Sequence, residues 1–288
     1  MSLTQVISLP DLSGRSLTTP GAKARTPVAM IVWLASYPRS GNTLMRILLS
    51  HVFGLPVPSL QPGGRVVTGR EGCGGLLPPA GGMPETQAMD EEAFTAHARA
   101  LPGTVIVKTH GAPPPEDEPA IVLVRDGRAA MASYQRYRRT FAGQEMLLEQ
   151  IVSAPAPLPH WSHLTARWRR RTAPTLLLRF ERVIRTDAAL IEEIGRFLGC
   201  TPQRGFDLGF EDLRRVSPDF FSVGSDAPGI ALVEKRCPAL FWTAHGDAMR
   251  ALGYGAEHDR PFNRRLVGDA LAEAGRAMRR PAGAAPDS

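Results

Sequence analysis

The segment Ser36-Tyr37-Pro38-Arg39-Ser40-Gly41-Asn42-Thr43 gathers small, polar and cationic side chains into one tight turn. Before it runs the apolar, β-branched stretch Met30 to Leu34, which reads as a buried strand. After it, Leu44, Ile47, Leu48 and His51 recur at helical spacing, so a helix starts near Thr43. A strand, a small-residue turn and a helix N-terminus together bind phosphate, because unpaired backbone N–H groups and the helix dipole converge on one point. Against the nucleotide-hydrolase pattern G-x-x-x-x-G-K-[ST], Gly41 and Thr43 align, Ser36 stands at the first glycine and Asn42 at the lysine. The cation has moved to Arg39, three residues before Asn42, which argues against ordinary ATP or GTP hydrolysis. The bland alternative is a strand–turn–helix unit without a ligand.

Two more strand ends carry polar chemistry. Thr104 to Lys108 reads as a second buried strand, followed by Thr109-His110-Gly111 and the breaker run Ala112 to Pro115. A lysine and a histidine delivered there lie where open α/β sheets place ligands, at the carboxyl edge. A surface turn with an incidental histidine is the alternative. Ala120 to Val124 is a third strand, running into Arg125-Asp126-Gly127-Arg128 and a helix that carries Ser133 and Tyr134. Asp126 could instead be a magnesium-binding carboxylate; the absent loop lysine argues against that.

Taken in order, these segments resemble the sulfotransferase family. Its 5′-phosphosulfate loop reads roughly Tyr-Pro-Lys-Ser-Gly-Thr-Thr-Trp; here it is Tyr37-Pro38-Arg39-Ser40-Gly41-Asn42-Thr43-Leu44. Lys108-Thr109-His110 matches the family's catalytic strand–loop, and Arg125 with Ser133 falls on its 3′-phosphate pair. About two helical turns apart, those two can approach one phosphate. Phe180 stands where the family commonly has a tyrosine near the adenine, and Phe210-Glu211-Asp212 resembles the segment bringing a second ring. The resemblance covers about residues 30–255. It implies 3′-phosphoadenosine-5′-phosphosulfate (PAPS) as sulfuryl donor, PAP as product and no metal. Arg39, Ser40, Gly41, Asn42, Thr43 and Leu44 would hold the phosphosulfate. Arg39 and Lys108 would neutralise developing charge, and His110 would take the acceptor's proton. The acceptor would be a hydroxyl or amine on a small molecule, carbohydrate or lipid.

One family segment is altered. Sulfotransferases usually carry Phe-Arg-Lys-Gly-x-x-Gly over the 3′-phosphate, whereas this chain has Phe221-Ser222-Val223-Gly224 running to Gly229. Both cations are gone. Arg214, Arg215, Lys235 and Arg236 are candidates to replace them.

These residues need a scaffold, and the 288-residue chain is long enough for one substantial α/β domain. The expected fold class is a single P-loop-like α/β domain, with a mainly parallel sheet flanked by helices on both faces. Residues 1–28 read as a flexible arm, 29–255 as the domain, and 256–288 as a basic helix and disordered tail. Helices are expected from Asp90 to Gly103, His160 to Arg171, Asp187 to Leu198, Pro238 to Leu252 and Asn263 to Arg280, and a fourth strand from Pro174 to Arg179. Trp161, Leu164 and Trp168 share one helical face and read as core. Residues 54–88 are so rich in Gly and Pro that no regular element is expected, only a long loop able to act as a lid.

Composition narrows the function class. No apolar run approaches the roughly 18 residues of a membrane span, and the N-terminus lacks a secretory apolar region. Three cysteines without metal spacing suit a reduced, cytoplasmic setting. The net charge of +6 is concentrated in arginine runs at 136–139 and 167–171, which read as solvated helix faces with no specific nucleic-acid partner. Two rivals stay open: a small-molecule kinase, and a non-catalytic nucleotide- or nucleic-acid-binding protein.

Overall fold

A computed structural model describes residues 30–60, 66–67, 90–115, 117–216, 218, 221, 224–255, 269–270 and 272–275. The expected N-terminal arm lies outside the described residues, as does most of 256–288, of which 269–270 and 272–275 are helical. In chain order the elements are β1 (Met30–Ser36), α1 (Asn42–Phe53), β2 (Ser59–Leu60), β3 (Val66–Val67), α2 (Glu91–Ala100), β4 (Thr104–Thr109), β5 (Ala120–Val124) and α3 (Gly127–Ala142). They continue with α4 (Leu148–Ser153), α5 (Trp161–Arg169), β6 (Thr175–Arg179), α6 (Phe180–Val183), α7 (Ala188–Leu198), α8 (Phe210–Val216), α9 (Ala227–Arg236) and α10 (Pro238–Ala251).

The strands form one sheet in the order β3-β2-β4-β1-β5-β6, parallel except for β3. Its strand residues alternate between two cores. Ile31, Trp33 and Ala35 join Val105, Val107, Val122 and Val124 on one face, beneath Phe94 of α2, Trp161 and Trp168 of α5 and Phe241 of α10. Val32 and Leu34 join Ile106, Ile121 and Leu123 on the other, beneath Met45 and Leu48 of α1 and Leu190 and Ile194 of α7. Burial on both faces explains the continuous apolar runs of β1, β4 and β5.

The register decides where the polar residues go. Ala35 pairs with Thr109, Ser36 with Leu123, and Val124 with Arg179. Four parallel strands therefore end along one edge, and the residues just beyond them meet above it.

The expected strands and helices in the described residues form within a residue or two of their expected limits, except that α2 stops at Ala100, three residues before Gly103. Asp90 and Asp187 cap their helices through Ala93 N–H (2.7 Å) and Leu190 N–H (2.8 Å). The 54–88 stretch needs correction, because β2 and β3 form inside it, Ser59 pairing with both Lys108 and Val67. Proline lacks a donor but keeps its acceptor, and the edge uses that. The Pro56 and Pro58 carbonyls accept from Ile106 N–H (3.2 Å) and Lys108 N–H (2.8 Å).

Candidate functional site

The turn after β1 is held from inside. Arg39 has φ 67° and Gly41 φ 97°, a left-handed pair that folds the loop back over the start of α1. A Cβ at Gly41 would also meet Phe180 Cδ2 at 2.7 Å, so the ring and the loop share space that only glycine leaves. The Asn42 side-chain amide donates to Ser36 Oγ (3.1 Å) and the Leu34 carbonyl (3.4 Å). At the position where a nucleotide hydrolase keeps its lysine, this residue ties the loop to β1. Ser40 is 0% exposed, and among the described residues its hydroxyl has no hydrogen-bond partner; neither has Asn42 Oδ1. Buried polar atoms left like this are costly without a ligand to satisfy them.

Arg39 is half-buried and donates through Nε to Ser133 Oγ (3.3 Å), with its guanidinium 5.5 Å from the centre of the Tyr137 ring. Burial, then the charges of Arg125 and Arg136, push its pKa down to about 10. Three guanidinium groups crowd one spot, as a site for a multiply charged anion requires.

His110 stands one residue past β4. Its Nδ1 lies 2.8 Å from the Ser36 carbonyl oxygen. A carbonyl only accepts, so Nδ1 carries the proton and, in the neutral ring, Nε2 keeps its lone pair. Burial first, then the charge of Lys108, hold the pKa of His110 well below the usual histidine range, so the ring is neutral at physiological pH. The ring is thus in its basic form, one tautomer selected by the backbone at the end of β1. Trp168 Nε1 donates to the Gly111 carbonyl (2.9 Å) and anchors the loop beyond.

Arg125 follows β5. Its Nη1 donates to the Arg39 carbonyl (2.7 Å), and its guanidinium lies 4.2 Å from the centre of the Phe180 ring. Its Nε and Nη2 edge faces the Asp226 carboxylate, with Nε 3.2 and 3.1 Å from the two oxygens and Nη2 2.5 Å from Oδ1. Behind it, buried Arg128 joins Asp126 (2.7 Å) to Glu234 (2.8 Å). Asp126 also caps α3 through Arg128 N–H (2.9 Å), which accounts for this carboxylate without a metal. Among the described residues, no group of His, Cys, Asp and Glu could hold a metal ion. Next to Phe180 in the chain, Glu181 accepts through Oε2 from the Tyr254 hydroxyl (2.8 Å).

A cavity of about 1470 Å³ opens above the strand ends. Arg39, Gly41, Asn42, Thr43, Leu44, Lys108, His110, Arg125, Ser133, Phe180 and Phe210 all line it, while Ser40 lies just beneath. The strand ends thus bring the expected site residues together. Seven cationic side chains, Arg39, Arg46, Lys108, Arg125, Arg136, Arg138 and Arg167, face it against two carboxylates, Glu91 and Asp226. That balance suits an anion.

Three of the expected replacement cations are engaged elsewhere. Arg214 and Arg215 pair with Glu211 (3.9 Å) and Asp212 (3.2 Å) along α8, and Arg236 pairs with Glu149 (3.3 Å). None of these, nor Lys235, lines the cavity. Ser222 and Val223 lie outside the described residues. Arg136 and Asp226 also line the cavity, without a sequence signal of their own. Arg136 was hidden in a basic run, one α3 turn beyond Ser133, and Asp226 in the altered 221–229 segment.

Fold and site define an α/β protein of P-loop-like architecture with a crevice lined mainly by cations at the carboxyl edge of its sheet. The model of the sulfotransferase domain family matches residues 31–212, and the chain belongs to that family. No curated protein matches the chain. Among solved structures it is similar to mouse sulfotransferase SULT7A1 complexed with PAP, at 14% identity and TM-score 0.43, over 67% of this chain and 65% of that one. It is also similar to the sulfotransferase domain of the Synechococcus PCC 7002 olefin synthase, at 17% identity and TM-score 0.38, over 90% of this chain and 98% of that one. No described helix is long and apolar enough to cross a membrane.

Proposed function

We propose that this protein transfers a sulfuryl group from PAPS to an acceptor hydroxyl or amine, releasing PAP, with no metal. The observation that carries the reading is the neutral His110, its Nδ1–H on the Ser36 carbonyl of the phosphate loop (2.8 Å), lining one cavity with Lys108 and Arg39. A base and a charge-neutralising loop are thereby fixed to each other through one backbone atom.

The residues present fit such a donor. The unpartnered Ser40 hydroxyl and the first N–H groups of α1 suit the 5′-phosphosulfate, and Arg125, Ser133 and Arg136 suit the 3′-phosphate. Phe180 and Phe210 offer faces to the base. The donor supplies the activated sulfuryl group. His110 Nε2 accepts the proton of the attacking hydroxyl or amine as the new bond forms. Arg39 and Lys108 neutralise the charge that gathers on the transferring group and the departing 5′-phosphate. The acceptor lies on a small molecule, carbohydrate or lipid, selected at the β2 side and by the loop after His110. The expected setting is the cytoplasm.

The test is transfer of label from [³⁵S]PAPS to an acceptor panel by purified protein, with ATP and Mg²⁺ in a parallel series. Labelled product with PAPS alone supports the reading. Transfer from ATP, or tight PAP binding with no product from any acceptor class, would replace it with the kinase or the non-catalytic binder.

A further inference from the structure

The Arg125–Asp226 pair is unusual for a site that is otherwise built of cations. A guanidinium grips a phosphate best through two parallel N–H groups on one edge. On Arg125 one such edge, Nε and Nη2, is taken by the Asp226 carboxylate, and Nη1 is turned to the Arg39 carbonyl. The pair is largely sheltered, with side chains 12% and 20% exposed. A planar, two-oxygen anion of this chain thus sits on the arginine proposed to receive the donor's 3′-phosphate.

The position of Asp226 in its own helix makes the contact more telling. It is the residue before α9, where an aspartate normally accepts from the first free N–H groups of the helix. Its side chain makes no such cap; Ser225 Oγ accepts from Ala227 N–H instead (3.2 Å). Pro228 has no N–H to offer, but Gly229 has one at the third helical position. The Asp226 backbone is helical here (φ −84°, ψ −21°), and a turn of that one residue to the extended capping geometry would give the carboxylate a second resting place on this N–H. The helix itself has little room to shift toward α3, because a Cβ at Gly229 would meet Ala129 Cα at 3.1 Å.

We infer that Asp226 is an internal competitor for the 3′-phosphate seat: its carboxylate holds Arg125 in the free protein, and a 3′-phosphorylated nucleotide displaces it toward the N-terminus of α9. Asp226 thereby sets how strongly the site favours nucleotides with a 3′-phosphate over those without. This rests on the proposed donor reading. The pairing keeps Arg125 pre-oriented between uses, and the need to break it weakens the grip on both donor and desulfated product.

The experiment is calorimetric titration of PAP and of adenosine 5′-monophosphate into the wild-type protein, Asp226→Asn and Asp226→Ala, with thermal midpoints as a folding check. Asp226→Asn keeps the size and capping ability of the side chain and removes its charge. PAP should bind both variants about 10-fold more tightly than wild type, since one charge-assisted contact no longer has to be broken. Binding of the monophosphate should stay within about 2-fold of wild type. Unchanged or weaker PAP binding in Asp226→Asn would overturn the inference while leaving the donor reading intact, as would an equal gain for both nucleotides. If no protein in the set binds PAP, both the inference and the donor reading fall.

Discussion

Replacing His110 tests the proposed chemistry most directly. His110→Ala removes the lone-pair nitrogen and one hydrogen bond to the Ser36 carbonyl, a loop-bracing contact that contributes about 1 kcal/mol. General-base catalysis contributes about 10²- to 10⁴-fold, or about 3–5 kcal/mol of barrier. The expected signature is therefore a loss of turnover of at least about 10²-fold with PAP affinity nearly unchanged. The pH profile makes the test sharper. Burial and Lys108 lower the pKa of His110, so it stays neutral, and the wild-type rate should hold as pH drops past the ordinary histidine value of about 6.5. The acid limb should appear only below that. Removing the Lys108 charge relieves a repulsion that disfavours the imidazolium, so in Lys108→Met the limb should move to higher pH on whatever rate remains. Single-turnover transfer of label, measured across pH in wild type and both variants, reads all of this. Near-normal turnover in His110→Ala, or a limb in Lys108→Met that stays put or moves acidward, would refute the assignment.

Other outcomes follow from the same geometry. Arg39→Ala should lower both PAP affinity and turnover, whereas Arg39→Lys should retain much of the rate; calorimetry and initial rates in parallel check both. Arg125→Ala should cut the preference for PAP over adenosine 5′-monophosphate by about 10- to 150-fold, the equivalent of one charge-assisted hydrogen bond of about 1.5–3 kcal/mol, measured by the same titrations. Gly41→Ala meets both a φ of 97° and the Phe180 ring at 2.7 Å, so it should cost about 1–3 kcal/mol in chemical denaturation and weaken nucleotide binding as the ring is pushed aside. Acid stability should report buried His245, whose pKa is pushed down to about 3 by burial and then by His160. The unfolded chain binds that proton from about pH 6.5 downward and the folded chain does not. Stability should therefore fall with falling pH across that window, by at most about 1.4 kcal/mol per pH unit from this group, and His245→Gln should flatten the slope seen in denaturant titrations.

The parts of the fold that were legible from sequence are those where local pattern and tertiary environment agree. β1, β4 and β5 are buried on both faces, so their residue types are continuous and apolar, and the ends are marked by the first polar residue. Asp90, Asp187 and Gly199 announce helix limits by capping chemistry that works over three or four residues. β2 and β3 carry no such mark. They exist because the Lys108 backbone, nearly fifty residues away in the chain, offers a ladder to a proline-rich edge. That information lies in the sheet.

The same division runs through the site. Arg39, Lys108, His110 and Arg125 could be gathered from sequence because each sits within a few residues of a strand end, and parallel strands align their ends; Ser133 follows Arg125 by about two turns of α3. What could not be read were relations between those ends. The tautomer of His110 depends on where the Ser36 carbonyl points, which the β1–β4 register decides. Asp226 meets Arg125 across 101 residues, through a helix whose start was concealed by Pro228 and Gly229. In the sequence, the altered 221–229 segment shows only the loss of two cations. In the folded protein the same segment brings a carboxylate to the arginine that those cations would have assisted, so the change concerns the sign of the charge there as much as its amount.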